Sequence, residues 1–253
     1  MPVESDVVRS LEWGPYRLEV AAGTRVGNRY AANFDVLHVD EKLPFFAVAD
    51  GMGDGRGSAL AGTTAMSTLV RQVRELDGAA DAAALRAAVA AVQRRVRTAG
   101  ARLAELTGCT LTALLAGASG EDAWIVQLGD SRAYRLRGGL LELLTVDHTV
   151  AWLGAVYGWY PADSPAAASA RYQLTRYVGH PDEPEPDLSN VSLRPGDVYC
   201  LCTDGVAEQV DYHRLRELLA GAPAAAARTV LADTLAAGGR DNATIVVVRV
   251  ESR

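Results

Sequence analysis

Lysine is almost missing from this chain. Lys42 is the only one, every other basic side chain is arginine, and the net charge is −6. No block of basic residues stands out, so a nucleic-acid groove has little electrostatic support and no such partner is expected. Long apolar runs are missing too: none approaches the roughly 18 residues that span a bilayer, which argues against a membrane protein. The N-terminus carries Glu4 and Asp6 instead of a basic-then-apolar signal, so export is not expected. Cysteines are few and odd in number (Cys109, Cys200, Cys202), and all lie in apolar surroundings. That argues against a disulfide framework and for core packing in a reducing cytoplasm.

Several phosphate chemistries are excluded by absent motifs. No cysteine has an arginine six residues downstream, which disfavours a cysteine nucleophile. A phosphate-cradling P-loop needs Gly-Lys, whereas Lys42 follows Glu41. The Gly-x-Ser-x-Gly elbow is absent. His38, His180 and His213 are too isolated to suggest a zinc site.

What is present is ordinary globular material in runs of strands and helices. Residues 15–20, 34–39 and 44–49 read as short strands. Helical spacing follows from Gly57 to Leu76 and from Ala80 to Leu106, with Asp77-Gly78 as the turn between. Strand signals return at 109–116, 123–128, 132–137 and 140–145, the last two joined by Gly138-Gly139 as a hairpin. Residues 158–170 are rich in Ala, Pro, Ser and Gly without a period and read as a surface loop, as does the acidic 181–187. A strand at 197–203, helices near 211–220 and 222–237, and a closing apolar strand, Ile245 to Val248, complete the chain. Runs without strict alternation predict an α+β fold of stacked sheets with helices outside.

Three aspartates share one setting. Asp50 follows Phe45–Ala49 and leads into Gly51; Asp204 follows Val198–Thr203 and leads into Gly205; Asp241 precedes Asn242-Ala243-Thr244 and the closing strand. Strand ends are rigid, and adjacent glycines let backbone and ligand approach closely. Carboxylate and carbonyl oxygens suit Mg²⁺ and Mn²⁺, and two such ions can neutralise a phosphate together. Taken singly, an Asp-Gly after a strand is most often only a turn.

Taken in order, the segments resemble the protein phosphatase 2C family of metal-dependent serine/threonine phosphatases. The pieces are Arg29 with Asn33-Phe34-Asp35, Ala49–Gly53, Gly108–Ala113, Leu128–Tyr134, Asp147-His148-Thr149, Thr175–Gly179, Cys202–Val206 and Gly239–Thr244. They span roughly residues 14–250, and the likeness is to compact bacterial members. The resemblance implies one domain over 1–253 with a four-layer α-β-β-α sandwich of two antiparallel sheets flanked by helices. It implies hydrolysis of phosphoserine and phosphothreonine by a metal-bridging water, with Mn²⁺ or Mg²⁺, two per site and a third as an extra.

Carried over by position, Asp50 would bridge both metals and the Gly51 carbonyl would bind the second. Asp204 and Asp241 would complete the shell of the first metal, and Asp35 would hold waters of the second. Asp130, beside Asp204, matches an extra metal position, and Arg29 would contact the substrate phosphate. Residues 150–172 would form a flap over the site. Phosphorylated proteins, substrates of a serine/threonine kinase, would be the partners of a cytoplasmic monomer. A phosphatase of sigma-factor regulators and a pseudophosphatase binding module are the alternatives.

The sequence departs from the family pattern in places. Phe34 stands where the family has an acid, and one extra residue separates Arg29 from Asn33, which leaves Arg25 as a rival for the phosphate. Asp54 adds a carboxylate after Gly53 and reads as a solvated turn residue. Arg132 and Ser131 are expected to fix a turn, and His148 to brace the loop beside it.

Overall fold

A computed structural model describes residues 5–161 and 163–253. Its elements run β1 (Ser5–Trp13), β2 (Tyr16–Arg25), β3 (Val36–Val39), β4 (Phe45–Ala49), α1 (Arg56–Glu75), α2 (Ala82–Gly100), β5 (Leu111–Ala116), β6 (Asp122–Leu128), β7 (Arg132–Arg137) and β8 (Leu140–Leu143). They continue with α3 (Val150–Tyr157), α4 (Pro165–Ala170), β9 (Asp187–Ser192), β10 (Val198–Cys202), α5 (Asp204–Ala207), α6 (Tyr212–Leu219), α7 (Pro223–Ala236) and β11 (Ala243–Ser252). Two antiparallel sheets form, ordered β1-β2-β11-β10-β7-β8 and β3-β4-β5-β6-β9.

Period-2 alternation assigns each strand two apolar jobs. On β11, Val246, Val248 and Val250 face the other sheet and meet Phe46, Val48, Leu114 and Ile125. Its alternate residues, Ile245 and Val247, pack with Leu215, Leu219, Val230 and Leu231 of α6 and α7. On the far sheet, Phe45, Ala47, Leu111 and Ala113 pack under Leu69, Val73, Val89 and Val92 of α1 and α2. The result is the expected four layers. Cys200 and Cys202 share the helix-facing side of β10, both fully buried, as core residues.

Two local expectations, the end of α2 and the loop at 158–170, are corrected, and two edge strands, β1 and β9, appear where none was expected. Strand β1 forms along the outer edge of β2, where its alternation is largely exposed and leaves little apolar pattern to read. Helix α2 stops at Gly100, because the chain must fold back there: a Cβ on Gly100 would press 2.5 Å from that of Thr107. Strand β9 forms at the edge of β6. The expected loop at 158–170 contains α4, and α3 precedes it. Their starts are capped by Thr149, which accepts from the Trp152 N–H, and by Ser164, which accepts from the Ala167 N–H with Pro165 in the first turn.

Candidate metal centre

Five aspartates stand at strand ends along one rim of the sandwich. Asp35 precedes β3, Asp50 follows β4, Asp130 follows β6, Asp204 follows β10 and Asp241 precedes β11. Side-chain to backbone hydrogen bonds fix the turns that carry them. Thr110 grips Asp50 twice: its N–H donates to the Asp50 carbonyl at 2.8 Å, and its Oγ1 accepts from the Asp50 N–H at 2.9 Å. Thr110 Oγ1 also lies 2.7 Å from Ser131 Oγ, and Thr112 Oγ1 donates to the Ser131 carbonyl at 2.8 Å. Asn242 ties the other side together. Its Nδ2 donates to the Val26 and Ala32 carbonyls, and its Oδ1 accepts from the Phe34 N–H at 2.7 Å. Gly51 has no room for a side chain, since a Cβ would sit 2.9 Å from the carbonyl oxygens of Phe34 and Ser58.

Asp50, Gly51, Asp130, Asp204 and Asp241 line one cavity of about 540 Å³, together with Arg29, Tyr30 and Tyr172. Its electrostatics are lopsided. Burial, then repulsion from Asp35, Asp204, Asp241 and Asp130, raises the Asp50 carboxyl well above its ordinary range. Burial, then Asp241, pushes Asp204 up to about 6. Asp130 and Asp241 are raised as well, by burial first. Oδ1 of Asp204 is buried without a hydrogen-bond partner. Negative charge is concentrated and only partly offset, by Arg29 near Asp241 and Arg132 near Asp130, the condition under which a divalent cation binds well. Among the described residues, no three His, Cys, Asp or Glu side chains are already drawn into a closed cage. Mutual repulsion keeps such carboxylates apart until a cation offsets it, and Mg²⁺-type sites fill much of their shell with water. The donor set fits Mn²⁺ or Mg²⁺.

Asp35 is set differently from the other four. It lies behind the cavity wall, almost fully buried, with Oδ2 accepting from Thr203 Oγ1 at 2.8 Å and from Thr244 Oγ1 at 2.7 Å. Its Oδ1 is buried and unpartnered, and burial pushes its pKa up to about 7. It reaches Asp204 through Thr203, the preceding residue. Arg29 is exposed at the cavity mouth with its guanidinium 5.0 Å from the Tyr30 ring centre. Arg25 is engaged elsewhere, 2.9 Å from Asp6 and 2.9 Å from the Thr24 carbonyl. Asp54 is exposed in the turn before α1.

The supporting residues behave as expected. Arg132 forks onto Asp147 at 3.0 and 2.6 Å. His148 Nδ1 accepts the Gly129 N–H at 3.1 Å, and its Nε2 lies 3.0 Å from Asp187, so it braces the turn that carries Asp130. Sequence reasoning missed Thr203 and Thr244 as the brackets of Asp35. Thr203 directly follows β10 and Thr244 is the second residue of β11, both fully buried, but their distance in sequence from Asp35 hid the pairing. It also missed a second cavity of about 510 Å³ that shares Asp130 and Asp204 with the first and is walled by α3, α4, Arg171 and Glu208.

Comparison with known proteins agrees with this architecture. Residues 28–237 match the protein phosphatase 2C family, and the chain belongs to it. It is 33% identical over 241 residues to the serine/threonine protein phosphatase PstP of Mycobacterium tuberculosis, covering 92% of this chain but 45% of that relative. It is 25% identical over 230 residues to the serine/threonine phosphatase stp of Listeria monocytogenes, covering 88% of this chain and 91% of the relative. A crystal structure of M. tuberculosis PstP/Ppp superposes with a TM-score of 0.82 at 32% identity, covering 92% of this chain and 99% of that one. The PstP catalytic domain in complex with two manganese ions gives 0.77 at 32% identity, covering 93% and 99%.

Proposed function

We propose that this chain is a single phosphatase domain that hydrolyses phosphoserine and phosphothreonine in other proteins with two Mn²⁺ or Mg²⁺ ions. The observation that carries the reading is the cavity in which Asp50, Asp130, Asp204 and Asp241 meet with one exposed arginine, Arg29, at its mouth, above the unpartnered oxygen of Asp204. Asp50, Asp204 and Asp241 would hold the first ion, with Asp50 and the Gly51 carbonyl turned to the second. Asp35 would act from behind and Asp130 at an extra position. When bound, the ions supply Lewis acidity and a water acidic enough to attack phosphorus near neutral pH.

The protein's own groups do the positioning. Arg29, always charged, can place two parallel N–H donors on phosphate oxygens, and its seat over Tyr30 aims it at the cavity. Asp35 holds the Thr203 and Thr244 hydroxyls, which fixes the direction of the strand ends carrying Asp204 and Asp241. Phosphoprotein substrates of a serine/threonine kinase, a cytoplasmic location and a monomeric state complete the reading. No helix among the described residues is long and apolar enough to cross a membrane. The test is hydrolysis of a phosphothreonine peptide and a small aryl phosphate with Mn²⁺, with and without EDTA. Turnover that depends on the ion supports the reading, and undiminished turnover in chelator overturns it.

A further inference from the structure

Helix α3 is apolar on every side, Val-Ala-Trp-Leu-Gly-Ala-Val-Tyr, yet Gly154 is its only buried residue. A helix of that composition is ordinarily covered on more than one face. Here its helical packing partner is the short α4, and Tyr160 closes over Gly154 with its hydroxyl donating to the Val150 carbonyl. Five of the exposed large apolar side chains among the described residues therefore collect between 152 and 172. Trp152 is 46% exposed, Val156 58%, Tyr157 67%, Trp159 57% and Tyr172 68%. The Tyr157 and Trp159 rings stack at 5.6 Å, leaving a flat aromatic outer face. Apolar surface gathered in this way marks an interaction site.

Its position names the occupant. Trp152 forms part of the wall of the second cavity, about 510 Å³, which shares Asp130 and Asp204 with the metal cavity. Tyr172 lines the metal cavity itself. Arg171 and Tyr172 both reach Glu208, at 3.4 Å each, and form the partition between the two cavities. The two basic groups of the second cavity are committed, Arg132 to Asp147 and Arg171 to Glu208, and its other two acids, Asp130 and Asp204, are those the phosphatase reading assigns to the ions. An acidic side chain entering it would find no free base, and a basic one would compete with the ions for Asp130 and Asp204. An apolar one would meet Trp152, Ala151, Ala155 and Ala167.

We infer that Trp152 and the Tyr157/Trp159 face form a specificity subsite for an apolar side chain flanking the phosphorylated residue of an extended phosphoprotein segment. The inference rests on the phosphatase reading. With the phosphate held in the metal cavity, the neighbouring residues of the segment run over the partition into the second cavity. There an aromatic or large aliphatic side chain gains contact with the indole. Burying one such side chain discriminates by about tenfold or more.

The experiment compares two phosphothreonine peptides that differ only in having leucine and phenylalanine, or alanine, beside the phosphorylated residue. Both are assayed with Mn²⁺ using the wild type, Trp152→Ala and the double variant Tyr157→Ala/Trp159→Ala. For the wild type, kcat/KM is expected to be at least about tenfold higher on the apolar peptide. That ratio should fall to within about twofold in Trp152→Ala, with Trp152→Phe restoring much of it. Melting temperatures of the variants check folding, which half-exposed side chains should not compromise. Equal wild-type rates on both peptides overturn the subsite and leave the phosphatase reading standing. No hydrolysis of either peptide or of a small aryl phosphate overturns both. A wild-type dimer in sedimentation that Trp159→Ala dissociates, or tryptophan-dependent binding to phosphatidylglycerol vesicles, assigns the face to another occupant and also overturns the proposal.

Discussion

Asp35 and Asp40 stand at the two ends of one four-residue strand, β3, and the fold treats them in opposite ways. Asp40 is 1% exposed and fully served. It accepts from the N–H groups of Lys42 and Leu43, from both Nε and Nη2 of Arg74, and lies 3.3 Å from His38 Nε2. Burial alone would raise its pKa, but the backbone donors, then Arg74 and His38, hold it to about 2. Asp35 receives two threonine hydroxyls and no base, keeps one oxygen unpartnered, and is pushed up to about 7. The same side chain thus stabilises the sandwich at one end of the strand and is held at a disadvantage at the other. A buried carboxyl without a counter-charge tends to hold a proton, and a cation supplied from outside the chain would favour its charged form.

That contrast breaks most sharply at the acidic end. Asp204→Asn keeps the size of the side chain and removes one negative charge from the cavity. Mn²⁺-dependent turnover is expected to fall about a thousandfold, the loss of several kcal/mol of electrostatic stabilisation. In EDTA the variant should melt at or above the wild-type temperature, because a repelling charge is gone. Addition of Mn²⁺, which should raise the wild-type melting temperature by mass action, should raise the variant's much less. A variant that melts well below the wild type in chelator would place Asp204 with the structural acids.

At the served end the expected effect is on stability. Asp40→Asn should lower unfolding free energy near neutral pH by about 2 kcal/mol, the value of a carboxyl shifted from 3.8 to about 2. A depressed pKa means the contribution is complete above the unfolded value and drains away as pH falls through the folded one. The gap between wild type and variant in urea titrations should therefore narrow below about pH 4 and reach about half its size by pH 3. A gap that stays constant with pH would mean that the Arg74 pair contributes packing and not charge. Metal-dependent turnover should hardly change, since the site lies at the far end of β3.

Arg29→Ala probes the single base at the cavity mouth. With one charge-assisted contact to phosphate removed, KM for a phosphopeptide should rise about tenfold. The Mn²⁺ concentration for half-maximal activity should stay near the wild-type value. Arg25→Ala should leave KM alone, because Arg25 already faces Asp6 and the Thr24 carbonyl. The reverse pattern would transfer the phosphate contact to Arg25.

The sequence made the layers legible because both period-2 strands and period-3.6 helices bury their apolar faces here, as on β11 and α2. Edge elements were harder. Strands β1 and β9 bury too little of either face to impose a pattern, and α3 and α4 announced themselves only through Thr149 and Ser164-Pro165 caps. At the site, aspartates beside glycine were readable as strand-end carboxylates. That Asp35 sits behind the wall was not, because its placement depends on Thr203 and Thr244, each more than 160 residues away. The exposed aromatic face of α3 was likewise hidden, since an apolar octapeptide reads the same whether it is covered or bare.

Asp54 gives the smallest and most discriminating prediction. It lies one residue past Gly53, which lines the metal cavity, and it bears on the electrostatics of Tyr30 across the mouth. A sixth acid so near the cluster would be expected to add to its affinity for cations if it shared their shelter from water. It does not: Asp54 is exposed, with the turn before α1 carrying it outward. Between solvated charges the interaction weakens to well under 1 kcal/mol at physiological salt. Asp54→Ala should therefore change the Mn²⁺ requirement less than twofold and the stability by less than about 0.5 kcal/mol. Metal titration of turnover at low and at 0.15 M salt checks it, since any residual effect should shrink as screening rises. A change of tenfold, insensitive to salt, would make Asp54 a member of the cluster, and exposure would then be a poor guide to which acids this site recruits.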